Sequence, residues 1–363
     1  MIKYAIAIAF CLMLFTWLGC KKDTTTFNRL EPSRGDTVTL QGVAGRERAD
    51  SAYHTVFLDF SKEVQSSKLR TSWDLGFYCG TEFRVIINHA VGATLSRLTK
   101  TNLNDVTAAD TIPLVSALNL DLDTVGNLAN VDPVDKNAAD YLNGTVIQDI
   151  PQAAGSSVVL ILNRGTASNF RNRSWIKMKI TRSGNGYAVT WGNIADNNNL
   201  YSNFTINKDA SYNFRYRSFT NGDVIYEPAK TLWDIAWGLS TYKTVNAAGT
   251  SVAQPVPDFM MINFMNGVTA AEVMVTSATT FENFTEAQLT GITFSALRDA
   301  IGVNWRNLTR STIGALSINT DRFYLVKDKE NNIYKVSFAG GGSRGYPVVW
   351  YIRVQRGAED SAE

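Results

Sequence analysis

The chain has 363 residues, 45% of them hydrophobic and 19% charged, with 35 Lys and Arg against 33 Asp and Glu and only two histidines. That near-balance leaves no electrostatic footprint for nucleic acid or for docking on an anionic membrane. The length admits two domains with cores of their own, and two histidines offer little for metal or acid–base chemistry.

At the N-terminus, Lys3 precedes an apolar run from Tyr4 to Leu18, too short to span a bilayer comfortably, and Gly19-Cys20 follows. This arrangement resembles a bacterial lipoprotein signal. It implies removal of residues 1–19, acylation of Cys20 with palmitate-type chains, and a body tethered to the outer membrane, on its periplasmic face or at the cell surface. Residues 20–36 are polar, with Thr24-Thr25-Thr26, Pro32, Ser33 and Gly35, and are expected to form a mobile tether. Cys11 leaves with the signal and Cys20 carries lipid. Cys79 is then the one remaining thiol, expected as a small buried residue with no disulfide to make.

The first module is assigned to residues 37–199. Its centre is Trp73-Asp74-Leu75-Gly76-Phe77, where large apolar residues alternate with small or acidic ones, as on one buried face of a strand. An aromatic strand with Tyr53, Phe57 and Phe60 precedes it. Arg84–His89 reads as a strand running into the Gly92 loop, residues 136–142 as a short helix, and Val158–Leu162 as a buried strand. Trp175–Ile180 and Tyr187–Trp191 flank Ser183-Gly184-Asn185-Gly186, a hairpin signal.

The second module, residues 200–357, repeats this order. Trp233-Asp234-Ile235-Ala236-Trp237 answers the first Trp-Asp stretch, and Tyr212, Tyr216, Phe219 and Thr220 answer Tyr53, Phe57, Phe60 and Ser61. Ile262-Asn263 with Gly267 answers Ile87-Asn88 with Gly92, and Phe281, Phe284 and Thr285 answer Leu103, Val106 and Thr107. The closing hairpins align with Tyr334, Val336 and Phe338 set against Tyr187, Val189 and Trp191. Ordered blocks of this kind are the signature of a duplication. Phe294, Leu297 and Ile301 share one face of an expected helix ended by Gly302, and Tyr346, Val348, Trp350, Ile352 and Val354 share one face of a last strand. Gly340-Gly341-Gly342 lacks the Gly-Lys-Ser/Thr of a phosphate loop and reads as a hairpin loop. Residues 358–363 form a disordered tail. The fold class is all-β, mainly antiparallel, with minor short helices.

No nucleophile elbow, His-Glu-x-x-His pattern or metal spacing occurs, so no catalytic residue is assigned and the chain is read as a non-enzyme. Asp74 and Asp234, duplicated in matching positions, are assigned to holding the fold. His54 aligns with Asn213 on the face opposite the aromatic residues and is expected to be exposed. His89 ends a strand at a loop where the second module has Phe264 and Met265. An imidazole or thioether at a hairpin tip is free to reach a ligand, and both ligate haem iron.

The order of aromatic strand, Trp-Asp strand, Asn-Gly loop, variable middle and closing hairpin resembles the HmuY family of haem-binding lipoproteins. Phe323-Tyr324-Leu325-Val326-Lys327 followed by Asn331-Asn332-Ile333-Tyr334-Lys335-Val336-Ser337-Phe338 is similar to that family's closing hairpin. The resemblance implies an all-β body, here two tandem modules, whose hairpin cleft grips haem between two His or Met side chains of the variable middle. It also implies a TonB-dependent outer-membrane transporter as partner. Residues 93–173 contain neither His nor Met, 268–320 contain only Met274, and near Trp305 the family's ligand position holds Arg310. The haem-ligand candidates are therefore His89, Met265 and Met261, with Met260 beside them. Capture of haem or a related tetrapyrrole for uptake is one expected function. The other is a scaffold without haem that binds glycan, peptide or a partner subunit at the surface.

Overall fold

Each Trp-Asp stretch runs into a strand, as its alternation predicts, but the strand it pairs with belongs to the other half of the chain. The structure, a computed structural model, describes residues 31–43, 52–121, 124–166, 172–197, 200–307, 317–339 and 345–357. The signal, Cys20, most of the tether, Arg310, Gly340-Gly341-Gly342 and the tail lie outside the described residues.

In chain order the first half supplies β1 (Gly35–Thr39), β2 (His54–Asp59), β3 (Val64–Leu69), β4 (Leu75–Tyr78), β5 (Val85–Ile87), β6 (Thr94–Arg97), β7 (Leu160–Asn163), β8 (Ile176–Ser183) and β9 (Gly186–Asn193). The second half supplies β10 (Ser202–Asn207), β11 (Phe214–Ser218), β12 (Gly222–Val224), β13 (Ile235–Val245), β14 (Ser251–Ile262), β15 (Thr269–Met274), β16 (Arg322–Lys327), β17 (Ile333–Ala339) and β18 (Val348–Gln355). Two short α-helices, α1 (Ala108–Thr111) and α2 (Ala138–Asn143), lie between β6 and β7. The second of these matches the helix read at residues 136–142.

The strands form four antiparallel sheets, in the orders β1-β18-β17-β16-β15, β10-β9-β8-β7-β6, β12-β11-β4-β5 and β14-β13-β2-β3. Replacing each strand of the first half by the one nine places later converts each sheet into another of the four. The leading strands of each half are thus exchanged: β2 pairs with β13 while β11 pairs with β4, and β1 pairs with β18 while β10 pairs with β9. The two stretches assigned as modules therefore share sheets, with the boundary at 199/200 falling between two paired strands. The tether is also shorter than expected, because Gly35 and Asp36 already belong to β1 and Ser33 donates its N–H to Ser61 O at 2.8 Å.

Packing follows the exchange. Trp73 lies against Tyr216 with ring centroids 4.8 Å apart, and Trp233 lies against Phe57 at 5.2 Å, so each tryptophan is seated on the aromatic strand of the other half. Both belong to one buried cluster that also holds Trp237, Tyr334 and Tyr351. Edge-on aromatic contacts of this kind add to the burial of large rings. Trp73 precedes its strand and turns into this shared cluster, whereas Leu75 and Phe77 face a second core under β6–β10. The single face read from the sequence is divided between two cores.

Two further expectations are corrected, and the shared face of the last strand is observed. The closing hairpin β16–β17 forms as read, but its equivalent is β7–β8, one strand earlier than the alignment with Tyr187, Val189 and Trp191. A buried lysine fixes the correspondence: Lys177 on β8 donates to Val106 O at 2.8 Å, and Lys335 on β17 donates to Phe284 O at 3.0 Å. Residues 294–301 are not helical, because Ser295 exchanges backbone hydrogen bonds with Ala270 and extends the chain along β15. Finally, β18 is covered on both faces, with Val349 and Tyr351 in the shared core and Ile352 and Val354 against a smaller cluster around Phe281 and Phe323.

Candidate functional site

The duplicated Ile-Asn…Gly motif is a structural clasp, and it decides where the candidate ligands go. After β5, Asn88 donates from Nδ2 to the carbonyls of Arg70 (3.0 Å) and Trp73 (2.7 Å) and accepts the N–H of Ala90 at 2.9 Å. This caps a 3-10 turn, His89–Val91, closed by Gly92 at φ 67°, where a side chain would be strained. Asn263 repeats the bonds to Lys230 and Trp233, at 2.8 and 2.9 Å, ahead of the turn Phe264–Asn266 and Gly267 at φ 84°.

His89 is consequently half-buried and held against the other half of the fold. Its Nδ1 lies 3.0 Å from Ser240 Oγ on β13, its carbonyl accepts from Thr241 Oγ1 at 3.0 Å, and its ring meets Trp73 edge-on at 5.8 Å. Arg298 donates to the same Ser240 Oγ at 2.6 Å. Burial and this neighbouring guanidinium both disfavour imidazolium, so the His89 pKa lies well below its usual value. The expectation of an imidazole free at a hairpin tip is overturned: the turn docks on the strand of the other half. His54 is half-buried at the start of β2, its Nδ1 3.3 Å from Gly42 O, and its counterpart Asn213 is buried.

The structure nevertheless brings His89, Met261 and Met265 together around one cavity between the halves, of about 30 Å³. Met260 points away into the shared core. The polar lining had no sequence signal beyond Asn213. Glu227 accepts from Asn213 Nδ2 (2.5 Å), Tyr216 Oη (2.7 Å) and Trp233 Nε1 (3.1 Å), and Asn213 also donates to Asn263 Oδ1 at 3.0 Å. Burial raises the Glu227 carboxyl to about 7 against the opposing pull of these donors. Close by, Asp132 accepts the N–H groups of Ile87 (2.7 Å) and Val146 (3.0 Å), and burial raises it to about 7 as well.

A cavity of this size accommodates one water-sized group. Small-molecule sites run to several hundred Å³, and the space between these donors is far smaller than that. Glu227 has three donors on its two oxygens, which suits a fold-holding carboxylate better than an acid or base. Among the described residues no group of three or more His, Cys, Asp or Glu is placed to hold a metal ion, and no helix is long and apolar enough to cross a membrane. Cys79 is a free, half-buried thiol whose pKa burial raises.

Among the described residues, two openings of several hundred Å³ border the sheet β10-β9-β8-β7-β6, and no His or Met lines either. One, of about 450 Å³, runs along the outer face of β8 and β9 beneath the turn Leu103–Asp105, bordered by Asn102, Lys179, Thr190 and Tyr201. The other, of about 440 Å³, lies between β6 and the turns carrying Asn130 and Thr145.

A scan against protein-family models matches the HmuY protein family over residues 51–347, in one stretch that spans both halves of the chain. No curated protein and no solved structure matches the chain.

Proposed function

The chain belongs to the HmuY family, and from that premise we propose that it is a non-enzymatic binding lipoprotein of the outer membrane, anchored through Cys20, whose ligand is not haem. One observation carries this reading. The available iron donors, His89, Met261 and Met265, surround a space of about 30 Å³, and His89 is already engaged with Ser240, while the open groove on β8 and β9 is lined mainly by amides and hydroxyls, with Tyr201 and Lys179. Polar groups in a groove of several hundred Å³ orient a small polar ligand by hydrogen bonding.

Haemin titration of the soluble body, residues 32–363, tests the proposal. The expected result is no Soret band beyond that of free haemin under oxidising or reducing conditions. The convergence of three donors from both halves on one cavity supports a second reading, capture of haem for delivery to a TonB-dependent transporter. A sharp Soret band in the parent, lost or shifted in His89→Ala, Met261→Ala or Met265→Ala, would overturn the first reading in favour of the second.

A further inference from the structure

The two halves are repeats, so each position of one can be compared with its equivalent in the other. The groove on β8 and β9 stands out in that comparison. With Lys177 equivalent to Lys335, the register of β8 against β9 and of β17 against β18 makes Lys179 equivalent to Ser337 and Thr190 equivalent to Trp350. Leu103 is equivalent to Phe281. In the second half Trp350 packs on Phe281 with ring centroids 4.3 Å apart, and this aromatic pair fills the place where the first half has the groove of about 450 Å³. The fold does not require an opening there. The first half has one because a threonine and a leucine stand where the second half has two large rings.

The groove wall is built of groups that both donate and accept. Asn102, Asn104, Thr181 and Thr190 line it, no carboxylate does, and its one cation, Lys179, donates to Thr101 O at 2.5 Å. Tyr201 forms one side, its hydroxyl donating to Asn104 Oδ1 at 2.8 Å. Amides and hydroxyls can exchange hydrogen bonds with vicinal hydroxyls in either direction, and an aromatic side chain offers apolar surface to the C–H groups of a sugar ring. Neither an anionic nor an apolar ligand suits this lining, because it has no unengaged cation cluster and little continuous apolar surface.

We propose that this groove binds a neutral carbohydrate. The proposal rests on the non-haem reading and names its ligand class and its place. The test is an array of neutral and acidic glycans probed with the parent protein, followed by calorimetric titration with the neutral oligosaccharide giving the strongest signal. Thr190→Trp transplants the second half's aromatic filling into the groove, and Tyr201→Ala removes its aromatic side. Each is expected to weaken binding at least tenfold, with circular dichroism confirming an unchanged fold. Because Thr190 is half-exposed on a strand, its variant keeps the test valid if Tyr201→Ala fails to fold. Absence of neutral glycan binding by the parent, or binding unaffected by Thr190→Trp, would overturn the proposal. Neither outcome produces a Soret band, so failure here is distinct from failure of the non-haem reading.

Discussion

The carboxylate of Asp234 accepts the backbone N–H of Phe60 at 2.8 Å, 174 residues away in the chain, and the carboxylate of Asp74 accepts the N–H of Phe219 at the same distance. The two contacts are one contact seen twice. Each Trp-Asp stretch uses its aspartate to hold the end of the aromatic strand donated by the other half, and the backbone repeats the pattern, with Asp74 N–H donating to Arg217 O and Asp234 N–H to Leu58 O. The surroundings of the two carboxylates differ. Asp74 is paired with Arg164 and Arg173, both at 2.8 Å, whereas Asp234 faces Asp59 and Asp328.

Asp74→Asn and Asp234→Asn should therefore have unequal costs. The first leaves two largely buried guanidiniums without their shared carboxylate and should cost about 3–5 kcal/mol. The second keeps an acceptor for Phe60 and relieves repulsion between carboxylates, so its effect should stay within about 1 kcal/mol. Urea unfolding of both variants decides the matter, and equal losses would contradict the asymmetry.

The contribution of Glu227 to stability should fall as pH rises from 4.5 to about 7, the interval between the usual Glu value and its folded value, while His89, whose folded pKa is lowered, contributes in the opposite sense as pH rises towards the usual His value. Asp132 and Asp234 are raised in the same direction, chiefly by burial. A carboxyl that holds its proton more tightly when folded stabilises the fold below its unfolded pKa, and that contribution is lost as pH climbs through the folded one. Carboxyls with lowered values, such as Asp110 and Asp209, are ionised in both states over this interval and do not oppose the trend. The melting temperature of the parent minus that of Glu227→Gln should decline across the interval, since His89 is common to both proteins. A difference that stays constant or grows with pH would refute the assignment.

Trp73→Ala and Trp233→Ala should each destabilise the protein by about 3–5 kcal/mol, since each empties a large buried site. Because the two rings lie in one cluster built from both halves, calorimetry should show a single transition lowered by either change. Two transitions, each moved by only one variant, would mean that the halves unfold separately.

Cys20→Ser should release the protein from membrane fractions, because acyl chains are its proposed anchor. Fractionation of cells expressing parent and variant reads this directly, and unchanged partitioning would remove the lipoprotein assignment.

What the sequence revealed was sameness; what it concealed was pairing. The Trp-Asp stretches, the Asn-Gly turns and the hairpins of β8–β9 and β16–β17 were legible because each carries a local periodic or turn signal. Nothing local says which copy of an aromatic strand lies beside which Trp-Asp strand, so the exchange was hidden. The slip of the closing hairpin has a similar cause: with a period of two, β8, β9, β17 and β18 all present alternating apolar residues, and a one-strand shift costs little in pattern. Lys177 and Lys335, charged residues within apolar strands, were the signal that would have corrected it. From sequence, His89 reads as free at the tip of its turn, whereas its ring nitrogen is engaged by Ser240 and it is half-buried. Whether a turn is a free tip or is docked on another strand depends on residues such as Ser240, 151 positions away.

Strand exchange also sets a timetable for the chain. Synthesis delivers residue 35 long before residue 352, yet Gly35 pairs with Ile352 and Phe57 with Ala236. The leading strands must wait, with edges and aromatic faces uncovered, until nearly the whole polypeptide is present. Contacts this distant in sequence fold slowly, and waiting edges are prone to aggregate. A chain terminated near residue 199 would hold β1–β3 with no strands to complete them, so premature termination yields a body for proteolysis rather than half a working protein. The cell therefore receives this protein all at once or not at all.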